Sequence, residues 1–380
     1  MKNILIWETY AVIGGGQKVG LNILDALRDN YRCIFFVPGK GPLTKELDDR
    51  NIDYKILPLG SYSDGKKGLK DIINMLCYFP RVFKEAYQYI RKNDISLVYS
   101  NGSRSFIWSS LIGTFLSIPV IWHVHNFFED RKTRVFLNLL GRLRSIKKII
   151  FVSNAVRQQF SSLEYKSEVI YNGFTADNIT KQSSSPDIRG QLSISPSAKI
   201  ISIIAWISRP KKLEIYIRSI PHILAKCKDV HFLIVGQAKE GHEDYYASLK
   251  KLAAELGIEN RITFSGHCND LSNLLSYIYV NCITSLETYS LVIPEAYALG
   301  VPVIVPDIGG PLELVKDRET GLIYEFGNET DLADKISLLL QDEGLHQSLS
   351  QNCRNYVHEF NMNKFNERVK AAVYQTLQTS

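Results

Sequence analysis

Short apolar runs alternate with longer amphipathic runs through the first half of the chain. The amphipathic runs carry apolar residues at helical spacing and predict helices at 17–28, 69–91, 106–116, 133–143 and 155–160. The apolar runs predict strands at 4–7, 33–37, 54–57, 97–100, 120–122, 149–152 and 169–171. Strands built almost entirely of Ile, Val, Leu and Phe are typical of a parallel sheet covered on both faces. The pattern therefore predicts a doubly wound, Rossmann-like α/β domain.

A polar stretch rich in Ser and Pro interrupts this alternation at 178–197 and predicts a linker. The alternation then restarts, with strands predicted at 200–204, 231–235, 261–264, 279–283 and 301–305. We therefore expect one Rossmann-like domain over 1–177 and a second over 198–362. The amphipathic run at 363–380 predicts a terminal helix that packs back on the N-terminal domain. Two such domains would face each other across a cleft, and ligands bind outside the carboxyl ends of parallel strands.

Residues 105–122 form an uncharged stretch of 18 residues, which is close to the length of a membrane span. Several Ser, Thr and Gly residues interrupt the stretch, and Pro119 opens a second apolar run. A buried helix followed by a buried strand is the better interpretation, with a membrane span as the alternative.

Composition narrows the class of protein. Hydrophobic residues make up 45% and charged residues 22%, which is typical of a globular protein and excludes a disordered, collagen-like or disulfide-scaffold chain. Residues 1–180 hold 25 Lys and Arg against 16 Asp and Glu, whereas 181–380 hold 20 against 23. The basic half indicates an anionic partner, either a phosphate-bearing substrate or an anionic membrane. Nucleic acid is not expected, because no recognition motif is present.

The cysteines and the N-terminal residues indicate the cellular compartment of the protein. Six cysteines are scattered without a Cys-x-x-Cys pair, which favours a reducing compartment over a disulfide framework. The first apolar run, at 4–7, is too short for a signal peptide. We expect a cytoplasmic protein, with the inner face of the cell membrane as a further possibility.

The most informative segment lies between Ser285 and Gly310. Glu287 follows a predicted strand, and Glu295 lies eight residues later inside a helix that Pro294 restricts to a start near this point. The N-terminus of a helix favours anions, so it could hold phosphates while the two carboxylates accept hydrogen bonds from sugar hydroxyls. The alternative is that the carboxylates only cap the helix and stabilise its dipole.

A basic loop follows the first strand of the second domain. Arg209, Lys211 and Lys212 precede a predicted helix, where cations are unfavourable for the helix dipole. They are expected there if a diphosphate binds, because fixed cations stabilise the charge of a leaving diphosphate. No Asp-x-Asp occurs in the chain, so we expect no metal. The alternative is a solvated basic loop.

Three features of the first domain are weaker signals. Gly14, Gly15 and Gly16 follow the first strand, where backbone N–H groups can approach a phosphate or simply form a flexible turn. They do not form the Gly-x-Gly-x-x-Gly pattern of a nicotinamide site.

His123 and His125 alternate onto one face of their strand, but no third metal ligand is apparent. The segment from Arg131 to Lys148 has seven cations and no acid, so it predicts either a membrane-binding helix or an ordinary surface helix.

The second domain resembles retaining glycosyltransferase family 4. The resemblance covers most of the chain, is strongest from about 198 to 335, and depends on the spacing of two glutamates and the residues after them. These residues are Glu287, Glu295, Ala296, Ala298, Gly300, Pro302, Val303, Gly309, Gly310 and Glu313, followed by the turn Thr320-Gly321-Leu322. The resemblance implies the GT-B fold, in which two Rossmann-like doubly wound parallel-sheet domains face each other across a cleft that holds a nucleotide-sugar.

The resemblance also implies roles for the donor-binding residues of the second domain. Glu295 would bind the ribose hydroxyls, and Glu287 would bind the transferred sugar. The remaining contacts would come from the backbone. Tyr289, Ser290 and Leu291 would contact sugar and phosphate, and Gly236 and Gly266 would approach the base. Ser290 is a departure, since the family often has Gly there, and its side chain would narrow the donor pocket.

Further implied roles concern the diphosphate and the first domain. Lys211 would bind the diphosphate. Trp206 occupies the place of a family Arg, so Arg209 would supply that charge from a shifted position. His125 would face the donor sugar. The loop with Gly15 and Gly16 would face the diphosphate and the acceptor.

Together these features predict an enzyme, a retaining glycosyltransferase of the hexosyltransferase type. Its donor would be a nucleotide-sugar, with UDP first and GDP as the alternative, and it would need no cofactor. Its acceptor would be a glycan or lipid-linked saccharide in bacterial surface polysaccharide synthesis, with peripheral membrane contact through Arg131 to Lys148. The alternatives are a GT-B-like nucleotide-sugar 2-epimerase and a non-catalytic sugar-binding protein.

Overall fold

The computed structural model describes residues 1–59, 69–175 and 187–379, with side chains omitted at 69–76. The chain divides into two compact units, Met1–Gly173 together with Met362–Ser380, and Phe174–Asn361. Most of the predicted linker, at 178–186, lies outside the described residues.

The described residues of the first unit contain one parallel sheet of seven strands. In space the strands follow the order β3-β2-β1-β4-β5-β6-β7. Their bounds are β1 Asn3–Glu8, β2 Arg32–Val37, β3 Tyr54–Ile56, β4 Ile95–Asn101, β5 Val120–Val124, β6 Ile146–Phe151 and β7 Ser167–Val169. All seven overlap strands predicted from the apolar runs, although β7 shares only Val169 with the strand predicted at 169–171. The buried strands are flanked by helices, as the doubly wound pattern requires.

The second unit repeats this arrangement with six parallel strands in its described part. In space they follow the order β10-β9-β8-β11-β12-β13. Their bounds are β8 Lys199–Ile204, β9 Val230–Val235, β10 Ile262–Gly266, β11 Ile278–Cys282, β12 Val303–Pro306 and β13 Gly321–Tyr324. In both sheets the strand order reverses beside the first strand, between β1 and β4 and between β8 and β11. Ligands of doubly wound sheets bind at this switch point.

Helices connect the strands and cover the sheets. In the first unit they are α1 Gly15–Leu27, α2 Pro42–Asp49, α3 Leu69–Lys92, α4 Phe106–Leu116, α5 Arg131–Leu140 and α6 Asn154–Arg157. In the second unit they are α7 Ile188–Gln191, α8 Leu213–Lys226, α9 Glu243–Glu255, α10 Leu271–Leu275, α11 Val292–Ala298, α12 Pro311–Leu314, α13 Glu329–Gln341 and α14 Glu343–Tyr356. The chain ends with α15 Met362–Gln378.

Helix α15 contributes to the core of the first unit. Phe365, Val369 and Val373 are buried in one cluster with Ile4 and Ile6 of β1. These apolar positions recur at helical spacing, which gives α15 one buried face. The last helix in the sequence therefore packs in the unit that contains the first strand.

Strand β13 was not predicted, because its first residues resembled a turn. Gly321 instead begins a strand that pairs with β12, opposite Val303. A Cβ atom at Gly321 would lie 2.1 Å from the carbonyl oxygen of Val303, so the glycine allows the close approach of the two strands. The predicted Gly-Leu turn is wrong at this point.

The uncharged stretch at 105–122 forms the buried helix and strand that its composition favoured. Helix α4 ends at Leu116, and β5 begins at Val120. Within the described parts of the chain, no helix has both the length and the apolar character needed to cross a membrane.

Candidate functional site

Lys211 and Glu287 lie beyond the carboxyl ends of the two neighbouring strands β8 and β11. The Nζ atom of Lys211 is 2.8 Å from Oε1 of Glu287, and both side chains are largely buried, at 27% and 17% exposure. Ser285 donates a hydrogen bond from Oγ to the same oxygen at 2.8 Å. The switch point of the second sheet therefore holds an ammonium and a carboxylate in a fixed arrangement.

Backbone contacts position both side chains of this pair. Thr284 donates from Oγ1 to the carbonyl oxygen of Lys211 at 2.8 Å, which joins the β11 loop to the β8 loop. The N–H of Gly310 donates to the carbonyl oxygen of Glu287 at 2.8 Å. A Cβ atom at Gly310 would lie 2.0 Å from the carbonyl oxygen of Thr288. The second glycine of the Gly309-Gly310 pair is therefore required by the close packing of the Glu287 loop.

Glu295 lies in the first turn of helix α11 and is half-buried. The helix begins at Val292, so Pro294 lies in its first turn, as the sequence predicted. Tyr289 and Ser290 are buried in the loop before it, and Leu291 is the N-cap residue. The two predicted carboxylates thus belong to one continuous loop-and-helix segment.

Arg209 is directed away from the Lys211–Glu287 pair. Its guanidinium forms an ion pair with Asp244 at the start of α9 and lies 5.5 Å from the centre of the Tyr245 ring. The hydrogen bond from Arg209 holds the pKa of Asp244 below its usual value. The structure therefore brings Lys211, and not Arg209, to Glu287. A role for Arg209 in diphosphate binding stays a prediction.

Gly236 and Gly266 lie side by side at the ends of β9 and β10. The N–H of Gly236 donates to the carbonyl oxygen of Gly266 at 2.8 Å. Gly236 has φ 144°, and a Cβ atom there would lie 1.9 Å from the carbonyl oxygen of Ala205. Only glycine fits this close contact with the end of β8. The neighbouring Trp206 is 52% exposed.

A second cluster of polar groups surrounds the glycine loop of the first unit. Helix α1 begins at Gly15, and the N–H of Gly14 donates to Oε1 of Gln17 at 3.3 Å. Gln17 in turn donates from Nε2 to Oε2 of Glu8 at 3.2 Å. The carbonyl oxygen of Gly16 accepts a hydrogen bond from Nδ2 of Asn101 at 2.9 Å. One end of the loop is therefore bound directly to Asn101 of β4, and the other is connected to Glu8 of β1 through Gln17.

Glu8, Asn101 and His125 form one hydrogen-bonded chain across β1, β4 and the end of β5. Asn101 donates from Nδ2 to Oε1 of Glu8 at 2.5 Å, and its Oδ1 lies 2.6 Å from Nε2 of His125. Glu8 and Asn101 are fully buried. Burial raises the pKa of Glu8 to about 7, although its hydrogen bonds with Asn101 and Gln17 oppose the shift.

The sequence reasoning missed Glu8, Gln17 and Asn101. A usable signal was present, since Glu8 and Asn101 are the polar last residues of two strands that flank a switch point.

His123 and His125 stack on each other, with ring centres 4.3 Å apart. Nδ1 of His123 lies 3.1 Å from the hydroxyl of Tyr99. Burial lowers the pKa of His125 to about 4 and holds that of His123 well below its usual value, so both rings are neutral near pH 7. Nowhere in the described parts of the chain do three His, Cys, Asp or Glu side chains form a group that could hold a metal ion.

Helix α5 presents an apolar and basic surface. Val135, Phe136 and Leu139 are about half exposed, at 53%, 47% and 58%. Arg131 and Arg134 belong to the same helix. The helix keeps only Leu137 fully buried, so most of its apolar residues face outward.

Comparison with known proteins identifies both units. A family model described as Glycosyltransferase Family 4 matches residues 13–178, and one described as Glycosyl transferases group 1 matches residues 184–356. Among solved structures, the Anabaena protein HepE in complex with UDP has a TM-score of 0.83 at 21% identity, covering 99% of this chain and 100% of that one. This likeness shows the GT-B fold.

Two named proteins are similar in sequence to this chain, one over about half of its length and the other over nearly all of it. The N-acetyl-alpha-D-glucosaminyl L-malate synthase of Bacillus anthracis is 28% identical over 55% of this chain, and the chain spans 54% of that relative's length. The UDP-Gal:alpha-D-GlcNAc-diphosphoundecaprenol alpha-1,3-galactosyltransferase of Escherichia coli is 23% identical over 94% of this chain and 93% of its own length. The first unit matches family 4 and the second matches group 1, and each unit contains a parallel sheet whose strand order reverses beside its first strand. The chain therefore belongs to the GT-B glycosyltransferases of the family 4 type.

Proposed function

We propose that the chain is a retaining glycosyltransferase that transfers a sugar from a UDP-sugar to a hydroxyl of a glycan or lipid-linked saccharide in bacterial surface polysaccharide synthesis. The observation that carries this proposal is the Lys211–Glu287 pair, 2.8 Å apart at the switch point of the second sheet. An ammonium beside a carboxylate suits a ligand that carries both phosphates and hydroxyls.

The proposed reaction breaks the bond between the anomeric carbon and the diphosphate oxygen, and the electron pair leaves with the diphosphate. The acceptor oxygen bonds to the anomeric carbon on the same face, and its proton passes to the leaving diphosphate. Lys211 stabilises the negative charge that develops on that diphosphate. Glu287 and Glu295 accept hydrogen bonds from sugar and ribose hydroxyls and fix the donor for attack.

The names of similar proteins support the choice of donor and acceptor. The Escherichia coli relative is named as a galactosyltransferase that uses UDP-Gal and a diphosphoundecaprenol-linked sugar. The Anabaena protein HepE has been crystallised with UDP-glucose. A relative in Rhizobium meliloti, 25% identical over 56% of this chain, is named for lipopolysaccharide core biosynthesis.

The test is a transfer assay with the purified chain, a panel of UDP- and GDP-sugars, and a pool of glycan and lipid-linked acceptors. We expect acceptor-dependent release of nucleoside diphosphate with one donor, and NMR of the product should show the same anomeric configuration as the donor. Donor incubated alone should stay intact or hydrolyse slowly, whereas an epimerised donor would indicate a nucleotide-sugar 2-epimerase. Inverted product, or no release from a folded protein with any pair, would contradict the proposal.

We also propose that helix α5 binds the surface of an anionic membrane. The half-exposed side chains of Val135, Phe136 and Leu139 provide apolar area, and Arg131, Lys132 and Arg134 of the same helix complement anionic headgroups. The helix ends at Leu140, so Lys147 and Lys148 of the predicted basic segment lie on β6 instead. A lipid-linked acceptor would be reached most readily by an enzyme held at that surface.

A further inference from the structure

The carboxamide of Asn101 has its orientation fixed by two groups in the first unit. Its Nδ2 lies 2.9 Å from the carbonyl oxygen of Gly16 and 2.5 Å from Oε1 of Glu8. A backbone carbonyl oxygen only accepts hydrogen bonds, so the group that faces Gly16 must be the NH₂. Glu8 accepts the second hydrogen of the same NH₂, which leaves Oδ1 on the opposite side.

The fixed amide determines which nitrogen of His125 carries the proton. Oδ1 of Asn101 lies 2.6 Å from Nε2 of His125, and an amide oxygen only accepts. Nε2 of His125 must therefore carry a hydrogen. In the described part of the chain the ring has Asn101 as its hydrogen-bond partner and the ring of His123 as its stacking partner.

We propose that Asn101 is a positioning residue that holds His125 as the neutral Nε2–H tautomer, so that Nδ1 offers a lone pair to a hydroxyl of the sugar substrate. A neutral acceptor nitrogen suits a hydroxyl and disfavours an anionic phosphate oxygen, which has no proton to donate. The resemblance to family 4 already implies that His125 faces the donor sugar, and the new inference is that Asn101 fixes the tautomer in which it does so. It rests on the proposed function only in naming the sugar as the ligand.

Glu8 is also part of this arrangement, because its carboxyl group is hydrogen-bonded to Asn101 and, through Gln17, to the glycine loop. Its Oε1 accepts from Asn101 and its Oε2 accepts from Gln17, which in turn binds the N–H of Gly14. The position of the loop and the tautomer of the His125 ring therefore depend on one buried carboxyl group.

The titratable groups near His125 do not compete for this role. His123 is stacked on the ring and is held neutral by burial. Tyr99 is bound to Nδ1 of His123, and Glu8 reaches His125 only through Asn101.

The test is NMR of the full chain with ¹⁵N-labelled histidine side chains and no substrate. Two-bond proton–nitrogen spectra show which ring nitrogen is protonated, and His125→Asn identifies the signals that belong to His125. We expect a protonated Nε2 and a bare Nδ1 between about pH 5 and pH 8, since burial lowers the pKa of His125 to about 4. An Nδ1–H tautomer, or a doubly protonated ring at pH 7, would overturn the proposal.

The variant Asn101→Asp tests whether the side chain at position 101 determines the protonation state of His125. A carboxylate beside Nε2 favours the charged ring, so the pKa of His125 should rise by more than a unit. The acid limb of the transfer rate should move to higher pH with it. Asn30→Asp, which places the same charge at an exposed position, should change neither. An unchanged His125 titration in folded Asn101→Asp would also refute the proposal.

The two proposals fail separately under these tests. The tautomer is read without donor or acceptor, so it can hold in a protein that transfers no sugar. Conversely, active enzyme with the Nδ1–H tautomer would remove this inference and leave the glycosyltransferase proposal standing. If Asn101→Asp does not fold, the wild-type spectrum alone still decides the tautomer.

Discussion

Two groups of side chains lie beyond strand ends, namely the Lys211–Glu287 pair and the chain from Glu8 to His125. The properties of both groups depend on single residues, most of which are glycines or buried polar residues. Glu8 is the clearest case, because a fully buried carboxyl at the end of a strand is costly unless its oxygens are hydrogen-bonded. Asn101 and Gln17 supply those hydrogen bonds. Such a group is retained at a stability cost, as is typical of functional sites.

Glu8 should make the free energy of unfolding depend on pH in a recognisable direction. Its pKa is raised from 4.5 to about 7, so the folded state holds this proton more tightly than the unfolded state. The contribution of Glu8 is then fully present below pH 4.5 and is lost as pH rises through 7, by about 3 kcal/mol in total. His125 acts in the opposite direction, because its lowered pKa removes stability as pH falls from about 6.5 to 4.

The variant Glu8→Gln should reveal the contribution of Glu8. Relative to wild type, its free energy of unfolding in urea should improve by about 3 kcal/mol between pH 4.5 and pH 7.5. The pH dependence of the difference is the informative quantity, since the lost hydrogen bonds shift the variant equally at every pH. A constant difference across this range would show that Glu8 does not titrate with the raised pKa.

Gly310 should be irreplaceable for a steric reason. A methyl group there would lie 2.0 Å from the carbonyl oxygen of Thr288, so Gly310→Ala must displace the loop that carries Glu287. We expect a loss of about 1–3 kcal/mol in stability and at least a tenfold loss of transfer rate. Gly39→Ala is the matched control, because a Cβ atom at Gly39 meets no atom within 4 Å. Equal behaviour of the two variants would exclude the steric role.

Elements were predictable where a periodic pattern was long or strongly apolar. Helix α4 was placed correctly from Phe106 to Leu116, and β13 was missed because it has four residues and begins with a glycine. Periodicity reports which face of an element is buried, but it cannot report pairings made at the end of a strand. The contact of Lys211 with Glu287 and the chain from Glu8 to His125 join residues that are far apart in sequence, so the sheet topology was needed to find them.

The exposed apolar face of helix α5 predicts binding to anionic membranes. Replacing Val135 and Leu139 with Ser removes apolar area that is about half exposed, so binding to vesicles with anionic lipid should weaken at least fivefold. Co-sedimentation with anionic and with neutral vesicles measures this. Tyr374→Ser is the control, since Tyr374 is 58% exposed on α15 and should leave binding unchanged. Equal binding to neutral vesicles, or no effect of the double variant, would contradict membrane contact through α5.

At the scale of the whole molecule, the chain builds two units of the same strand order, and the last helix belongs to the first of them. The order 3-2-1-4-5-6 recurs in both sheets, with one further strand in the first. The repeated alternation in the sequence predicted both sheets. Most of the predicted linker between the two units, at 178–186, lies outside the described residues, so that part stays a prediction.

Removing the packing of α15 should destabilise the first unit selectively. Phe365 is 2% exposed and lies in one cluster with β1, so Phe365→Ala should cost about 3–5 kcal/mol. Hydrogen exchange resolves the two units. Protection should fall in β1 and β4 and stay unchanged in β8 and β11. An equal loss of protection in both sheets would show that α15 does not belong to the first unit alone.

The account depends most on the assignment of Lys211 to the leaving diphosphate. Lys211→Ala should lower kcat/KM for the nucleotide-sugar at least tenfold, or about 1.4 kcal/mol of transition-state stabilisation. Lys226→Ala is the control, because Lys226 forms an exposed ion pair with Asp334 at the end of α8. The predicted result is a rate loss for Lys211→Ala alone, with both variants folded. A Lys211→Ala enzyme as fast as wild type would contradict the central claim.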